Sequence, residues 1–389
     1  MTFFSSFSLG LPARLLLVML LFGFSCQHAS TPGGGDAYDP DEMPVLYEPK
    51  PAVMTPERSA LVQKIENFFD LRFREGFSGS VIFAEEGGIL FGKSYGLANI
   101  HTKDTLHLNS AFQLASVSKP ITALAVLILK EQGLLSLEDS LQQFIPDFPY
   151  PGITIRMLLS HRSGLPNYMY LADEVWPDKE VPLGNDDMVD LLVVYKPKPY
   201  YPPNTRYNYS NTNYALLATI VERVSGIGFQ DFVQKRIFNP IRMTNSSIYS
   251  KCDNPQNSNP VTGYVSARRE ADNSYLNGVM GDKGVYASAI DLLRLDQALY
   301  NNVPVSAATL NEAFTPHHKD LRLHDNYGLG WRLDASDTTN AVIYHSGWWK
   351  GFKTQFVRET GTQRTIIVLS NTLRGSNFKH RELRELFTF

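Results

Sequence analysis

Apolar positions along the chain recur with two periods, and the switches between them mark out the elements. Thr55-Pro56-Glu57 reads as a helix N-cap, a first-turn proline and a first-turn acid. Leu61, Ile65, Phe68 and Phe69 follow at i, i+4, i+7 and i+8, the spacing of one helical face. Two strand-like runs come next, 80–85 and 89–95, and Glu86-Gly87-Gly88 joins them as a hairpin. Residues 116–130 are apolar on all sides, which predicts a helix through the interior, closed by Gly133. From Ser136 to Ser160 short helices are broken by Pro146, Pro149 and Pro151. Further helices are predicted over 213–225 and 229–238, ended by Gly226 and Pro240, and over 289–299 behind Ser288. Strands return at 341–345, 352–358 and 364–370, and a last helix covers about 380–389. Strands at both ends with helices between predict one sheet assembled from both termini, with a helical region inserted.

The first residues stand apart from that pattern. Arg14 precedes an apolar run from Leu15 to Phe22, too short to span a bilayer and suited to an export signal. Cys26 follows, and then a polar, glycine-rich stretch from Gln27 to Asp41. This resembles a bacterial lipoprotein signal in which Cys26 becomes the lipidated first residue, although Gly23 and Phe24 depart from the usual pattern. A simple secretory signal or an uncut anchor is the alternative. The expected organisation is an export signal over 1–25, a tether over 26–53 and a folded domain over 54–389, in a protein of the bacterial cell envelope facing the periplasm or the surface. A net charge of -3 over 389 residues, with no basic stripe, gives no case for nucleic acid. Two cysteines make no disulfide framework, and Cys252, in a polar loop, has no assigned chemistry.

Chemistry enters at Leu114-Ala115-Ser116-Val117-Ser118-Lys119-Pro120, at the head of the apolar helix. A serine and a lysine three residues apart on a helical turn share a face. A desolvated, partly neutral amine there can accept the hydroxyl proton as attack begins. Pro120 fits only a first helical turn, so the helix is expected to begin about at Ser116, at the positive end of its dipole. Alone, the pair reads as well as an ordinary N-cap with a solvated lysine, and a second copy, Ser376-Asn377-Phe378-Lys379, lies in a polar loop. Tyr-x-Asn also recurs, but only Tyr209-Ser210-Asn211 stands just ahead of a helix in a polar stretch. No Gly-x-Ser-x-Gly elbow occurs. His317-His318 with His324 and Asp325 match no standard zinc spacing, and with no phosphate loop, neither metal nor cofactor is expected.

Taken in order, Ser116-Val117-Ser118-Lys119, Tyr209-Ser210-Asn211 and His345-Ser346-Gly347 resemble the three-motif signature of the class C β-lactamase-like serine hydrolases. That family includes D-alanyl-D-alanine carboxypeptidases, penicillin-binding proteins, D-amino-acid peptidases and esterases. The segments Met157 to Pro166, Gly281-Asp282-Lys283-Gly284 and Tyr327 to Trp331 are similar too, so the resemblance runs over about 56–389. It implies an α+β, β-lactamase-like fold: an antiparallel sheet flanked by helices, an all-helical domain, and the site in the cleft between. The α/β part would take about 54–115 and 326–389, the helical part about 116–325. It also implies roles. Ser116 is the nucleophile that forms an acyl-enzyme. Lys119 takes its proton or keeps Tyr209 partly ionised, and Tyr209 passes the proton to the leaving group and later activates water. Asn211 holds Lys119 and a substrate carbonyl, and His345, Ser346 and Gly347 bind substrate. The backbone N–H groups of Ser116 and Trp348 form the oxyanion hole. The substrate is then a small molecule or peptide, cut at an ester, amide or D-amino-acid peptide bond.

His345 departs from the pattern, since β-lactamases of this class carry lysine there. A histidine is only partly charged near neutrality. That is expected to weaken β-lactam hydrolysis and to favour ester or peptide substrates. The pair Trp348-Trp349 either shapes an acyl pocket or packs against the sheet, and His161 and Arg162 are expected to be structural. Two alternatives stand beside the ester or peptide hydrolase. One is a true β-lactamase or D-Ala-D-Ala carboxypeptidase, the other a slow or non-catalytic penicillin-binding or peptidoglycan-sensing protein.

Overall fold

The Thr55 hydroxyl accepts the Arg58 N–H, Pro56 takes the first turn, and helix α1 (Pro56–Arg74) buries Leu61, Ile65 and Phe69, as the spacing predicts. The structure, a computed structural model, describes residues 47–249, 261–266, 269–319, 322, 325–336 and 339–387. All of them belong to one unit, 39–389. The apolar run after Arg14, Cys26, Cys252 and His324 lie outside the described residues.

The main sheet contains β1 (Lys50–Pro51), β2 (Gly79–Glu85), β3 (Gly88–Tyr95), β4 (Asn326–Tyr327), β5 (Arg332–Asp334), β6 (Val342–Trp349), β7 (Phe352–Glu359) and β8 (Arg364–Ser370). Their spatial order is β1-β3-β2-β8-β7-β6-β5-β4. Both ends of the chain therefore meet in one sheet, at the β2–β8 pairing, which runs from Arg364 opposite Glu85 to Ser370 opposite Gly79. All neighbours are antiparallel except β1, which lies parallel to β3. Along β2, Val81 and Phe83 turn to the face covered by α1, while Ile82 and Ala84 turn to the helical layer. A strand covered on both faces reads as a continuous apolar run.

The helical layer is organised around α2 (Ser118–Glu131), buried on every side from Ser118 to Leu129. Its end is a Schellman turn. The Leu134 N–H reaches back to the Leu129 carbonyl and the Gly133 N–H to that of Lys130, with Gly133 in the left-handed region at φ 69°. Around it lie α3 (Tyr168–Val175), α4 (Asn185–Tyr195), α5 (Asn211–Ser225) and α6 (Ala289–Tyr300), and α7 (His380–Glu385) follows the sheet. The pattern did not predict α3 or α4. Their starts are set by side chains: Asn167 accepts the Met169 N–H, and the Asp187 carboxylate accepts the Gly184 N–H. Strand β6 runs on to Trp349, four residues past its predicted end, because Ser346 and Gly347 lie along the ladder with β7.

Candidate active site

Helix α2 begins at Ser118, not at Ser116. A 3-10 turn, Ala115–Val117, carries Ser116 in front of it. The turn starts from Ala115 at φ 51°, a conformation that costs a non-glycine residue about 1–3 kcal/mol. Neighbours hold it there. The Leu114 N–H donates to the Val285 carbonyl at 2.8 Å, and the Thr354 hydroxyl donates to the Leu114 carbonyl at 2.7 Å. Gly347 is what lets β6 come so close: a Cβ there would lie 2.3 Å from both the Leu114 oxygen and the Thr354 hydroxyl.

The Lys119 amine, fully buried, has three oxygens around it. Ser116 Oγ lies at 3.1 Å, Asn211 Oδ1 at 2.9 Å and the Asp282 carbonyl at 2.8 Å. Two of these, both carbonyl oxygens, can only accept. A neutral amine has two N–H donors and one lone pair, so the carbonyls take the donors and the lone pair is left facing the Ser116 hydroxyl. Burial pulls the Lys119 pKa down to about 7, with Arg332 adding to the pull and the Asp282 carboxylate opposing it. The neutral form is thus within reach at physiological pH.

Tyr209 and Asn211 meet Lys119 because Ser210 is the N-cap of α5 and Asn211 its first residue. Tyr209 and Ser116 line the same cleft, and the Tyr209 ring centroid lies 4.9 Å from the Lys119 nitrogen. Burial pushes the phenol up to about 12, against smaller lowering effects of Ser116 and Arg332. His161 lies under Tyr209 with ring centroids 4.2 Å apart, and its Nδ1 accepts the Ser210 N–H at 3.3 Å. It supports the tyrosine segment.

His345 is placed otherwise than its motif position suggests. Its Nδ1 lies 2.9 Å from the Ser346 carbonyl, an acceptor, so Nδ1 carries the proton, and Nε2 accepts from the Tyr327 hydroxyl at 3.1 Å. With both nitrogens used and the ring buried, its pKa is pushed well below the ordinary value, first by desolvation and then by Arg332 and Lys119. A neutral, inward ring does not present a charge to substrate, which corrects the part-charged contact expected of it. The cations that line the cleft are Arg332 and Lys353 instead. A cleft of about 560 Å³ is lined by Ser116, Tyr209, Arg332, Ser346, Gly347 and Trp348, among others. The Arg332 guanidinium lies 5.4 Å from the Tyr209 ring centroid, and its Nε has no hydrogen-bond partner. Tyr207, Tyr209, Tyr327 and Tyr344 lie around it. The two tryptophans divide, as strand alternation requires. Trp348 is 62 % exposed in the cleft, while Trp349 is 9 % exposed and bonds Asn277 through its indole N–H.

The sequence profile of the Beta-lactamase family matches residues 69–388. The chain belongs to the beta-lactamase family of serine hydrolases. Penicillin-binding protein 4* of Bacillus subtilis (strain 168) is 37 % identical over 330 residues, 82 % of this chain and 73 % of that one. A D-aminopeptidase of Cereibacter sphaeroides is 25 % identical over 331 residues, 82 % of this chain and 61 % of that one. Among solved structures, a penicillin binding protein from Bacillus halodurans superposes with a TM-score of 0.71 at 24 % identity, over 86 % of this chain and 99 % of that one.

In this beta-lactamase-family site the three motifs converge on one cleft, with His345 set behind its wall. Ser116, Tyr209 and Asn211 all meet Lys119, and Ser346, Gly347 and Trp348 run along the cleft on β6. Two residues escaped the sequence reading. Arg332 follows Trp331 on a three-residue strand, and the only signal was a cation just after a glycine-rich segment. Asp282 was noted only as part of a family-like turn, yet its main chain is a partner of the buried amine. Among the described residues no group of three or more His, Cys, Asp or Glu side chains is placed to hold a metal ion.

Proposed function

We propose that this serine hydrolase acts on D-amino-acid peptides or esters whose leaving group carries a carboxylate. The observation that carries this reading is the Arg332 guanidinium in the cleft, beside the tyrosine that faces the nucleophile. In this mechanism the neutral Lys119 amine accepts the Ser116 proton as Oγ bonds the substrate carbonyl carbon. The N–H groups of Ser116 and Trp348 take the oxyanion; one such donor is typically worth about 10²–10³ in rate. Tyr209, held as a neutral phenol, gives its proton to the departing atom and recovers one from Lys119. Because Tyr209 serves the leaving group and Arg332 sits against its ring, Arg332 addresses the leaving-group side of the scissile bond. A guanidinium remains charged at all working pH values, which a buried histidine does not. Asn211 keeps Lys119 oriented, and Trp348 offers an apolar wall.

The test is the release of p-nitrophenol from p-nitrophenyl acetate by wild type and Ser116→Ala. A burst followed by turnover, both lost in the variant, is expected. Equal signals from the two proteins would put the chemistry on another serine, and a burst with no turnover would favour a slow penicillin-binding sensor. Residues 15–26 support export to the cell envelope with lipid on Cys26. Mass spectrometry of the mature N-terminus should find a diacylated Cys26, and an unmodified start elsewhere would remove that placement.

A further inference from the structure

A second buried lysine lies behind the first. Lys283 is side-chain-exposed by only 4 %, next to Asp282 at 0 %. Its ammonium donates to the Tyr168 hydroxyl at 2.6 Å and reaches the two Asp282 carboxylate oxygens at 3.3 and 3.2 Å. The Tyr168 hydroxyl in turn donates to Asp282 Oδ2 at 3.3 Å. The rings of Tyr168 and Trp349 lie 5.3 and 5.0 Å from the same ammonium. The turn that carries the pair is strapped to α2. Thr122 donates to the Gly281 carbonyl at 2.7 Å, Val285 N–H donates to Ser118 Oγ at 3.1 Å, and Lys119 itself meets the Asp282 carbonyl. Gly281 and Gly284, at φ 99° and 96°, allow the chain to turn there, and a Cβ on Gly281 would meet the Tyr214 carbonyl at 2.3 Å.

Packing alone does not call for charges at this depth. A buried ion pair is often no more stabilising than apolar groups of the same volume, and losing one partner is far worse. The location supplies a reason. We propose that Asp282 and Lys283 are positioning residues for Lys119: their ion pair holds the Asp282 carbonyl on the amine and balances the charge that Lys119 gains on taking the Ser116 proton. This rests on the reading of Lys119 as the base. The groups around Lys119 are Ser116 and Tyr209 from the motif segments, Asn211 and Tyr214 from α5, Asp282 and Lys283 from the turn, and Arg332 from β5, with His161 and His345 also within electrostatic range. Among the charged groups, the Asp282 carboxylate favours the charged amine, while Arg332 and Lys283 oppose it.

The sign of each change follows. The base must be neutral, so kcat/KM for p-nitrophenyl acetate rises with pH as Lys119 loses its proton, with a midpoint near pH 7 in the wild type. In Asp282→Asn the remaining positive charge of Lys283 disfavours a protonated Lys119, and the rising limb moves to lower pH by about one unit or more. In Lys283→Met the lone carboxylate favours it, and the limb moves to higher pH by a similar amount. The double variant Asp282→Asn/Lys283→Met removes both charges and avoids an unpaired buried ion, so its limb lies between those of the single variants. A merely structural pair would lower the amount of folded enzyme without moving the limb in opposite directions. Limbs that stay in place, or move the same way in both single variants, overturn the inference. Should Lys283→Met fail to fold, a double-variant limb at or below that of Asp282→Asn does so as well; should Asp282→Asn fail, a double-variant limb at or above that of Lys283→Met does. A wild type with no limb near pH 7 would instead overturn the base assignment itself.

Discussion

Two arginines on neighbouring parts of one sheet have opposite surroundings. Arg358 on β7 is saturated: its Nε bonds Asp296 Oδ1 at 2.5 Å and its Nη2 reaches the Asp296 main-chain oxygen at 3.3 Å. The other carboxylate oxygen accepts from Thr365 at 2.7 Å and Gln297 at 2.8 Å. That network joins α6 to β7 and β8 and contributes no residue to the cleft. Arg332 on β5 lies among tyrosine rings, with an unpartnered Nε and one side open to the cleft. Chemistry is the same in both; the difference is who satisfies the charge. A cation satisfied from within the protein fastens the fold, and one left incomplete is set to be satisfied by a ligand.

Removing the first cation should have the larger effect. Arg358→Met leaves Asp296 buried without its ion partner, and unfolding free energy from urea titration should fall by about 3–5 kcal/mol. The rate per folded molecule should stay near wild type. A loss of rate with stability intact would erase the contrast. Arg332→Gln should do the reverse. Its urea midpoint holds or rises, because a half-buried charge without an ion-pair partner is removed. On a carboxylate-bearing D-amino-acid ester kcat/KM falls roughly 10- to 100-fold, the loss expected of a hydrogen bond to a charged group. The loss on p-nitrophenyl acetate, which has no carboxylate, should be much smaller. Equal losses on both substrates would mean that Arg332 acts through Lys119 or Tyr209 and not on the leaving group.

How much of this was legible depended on how local each signal was. Helix α1, the β2–β3 hairpin and α2 are written in spacing and caps, so Thr55 and Gly133 sit where they were expected. Of the expected turn Glu86 and Gly87 remain, while Gly88 opens β3 opposite Glu85. Helices α3 and α4 went unread because their starts rest on Asn167 and on the reach of Asp187 back to Gly184. The site motifs were legible as a set, yet direction was not. One position decides whether a strand residue faces a cleft or a core, and His345 and Ser346 fall on opposite sides of that choice. Arg332 lay beyond any local reading, because only the pairing of β5 with β6, Arg332 opposite Tyr344, brings it beside the cleft.

Strand β1 has a mechanical consequence. Only two residue pairs, Lys50 with Gly88 and Pro51 with Ile89, join it to the sheet, helped by the Ala52 N–H to Ile89 and the Tyr47 hydroxyl to Gly87. In the strand order, β3, β2, β8 and β7 stand between it and the cleft strand β6. A pull transmitted through the residues before Tyr47 would be taken up first by this short edge, which can peel away and re-seat. Tension there would be spent at the margin of the sheet, and the cleft would keep its shape.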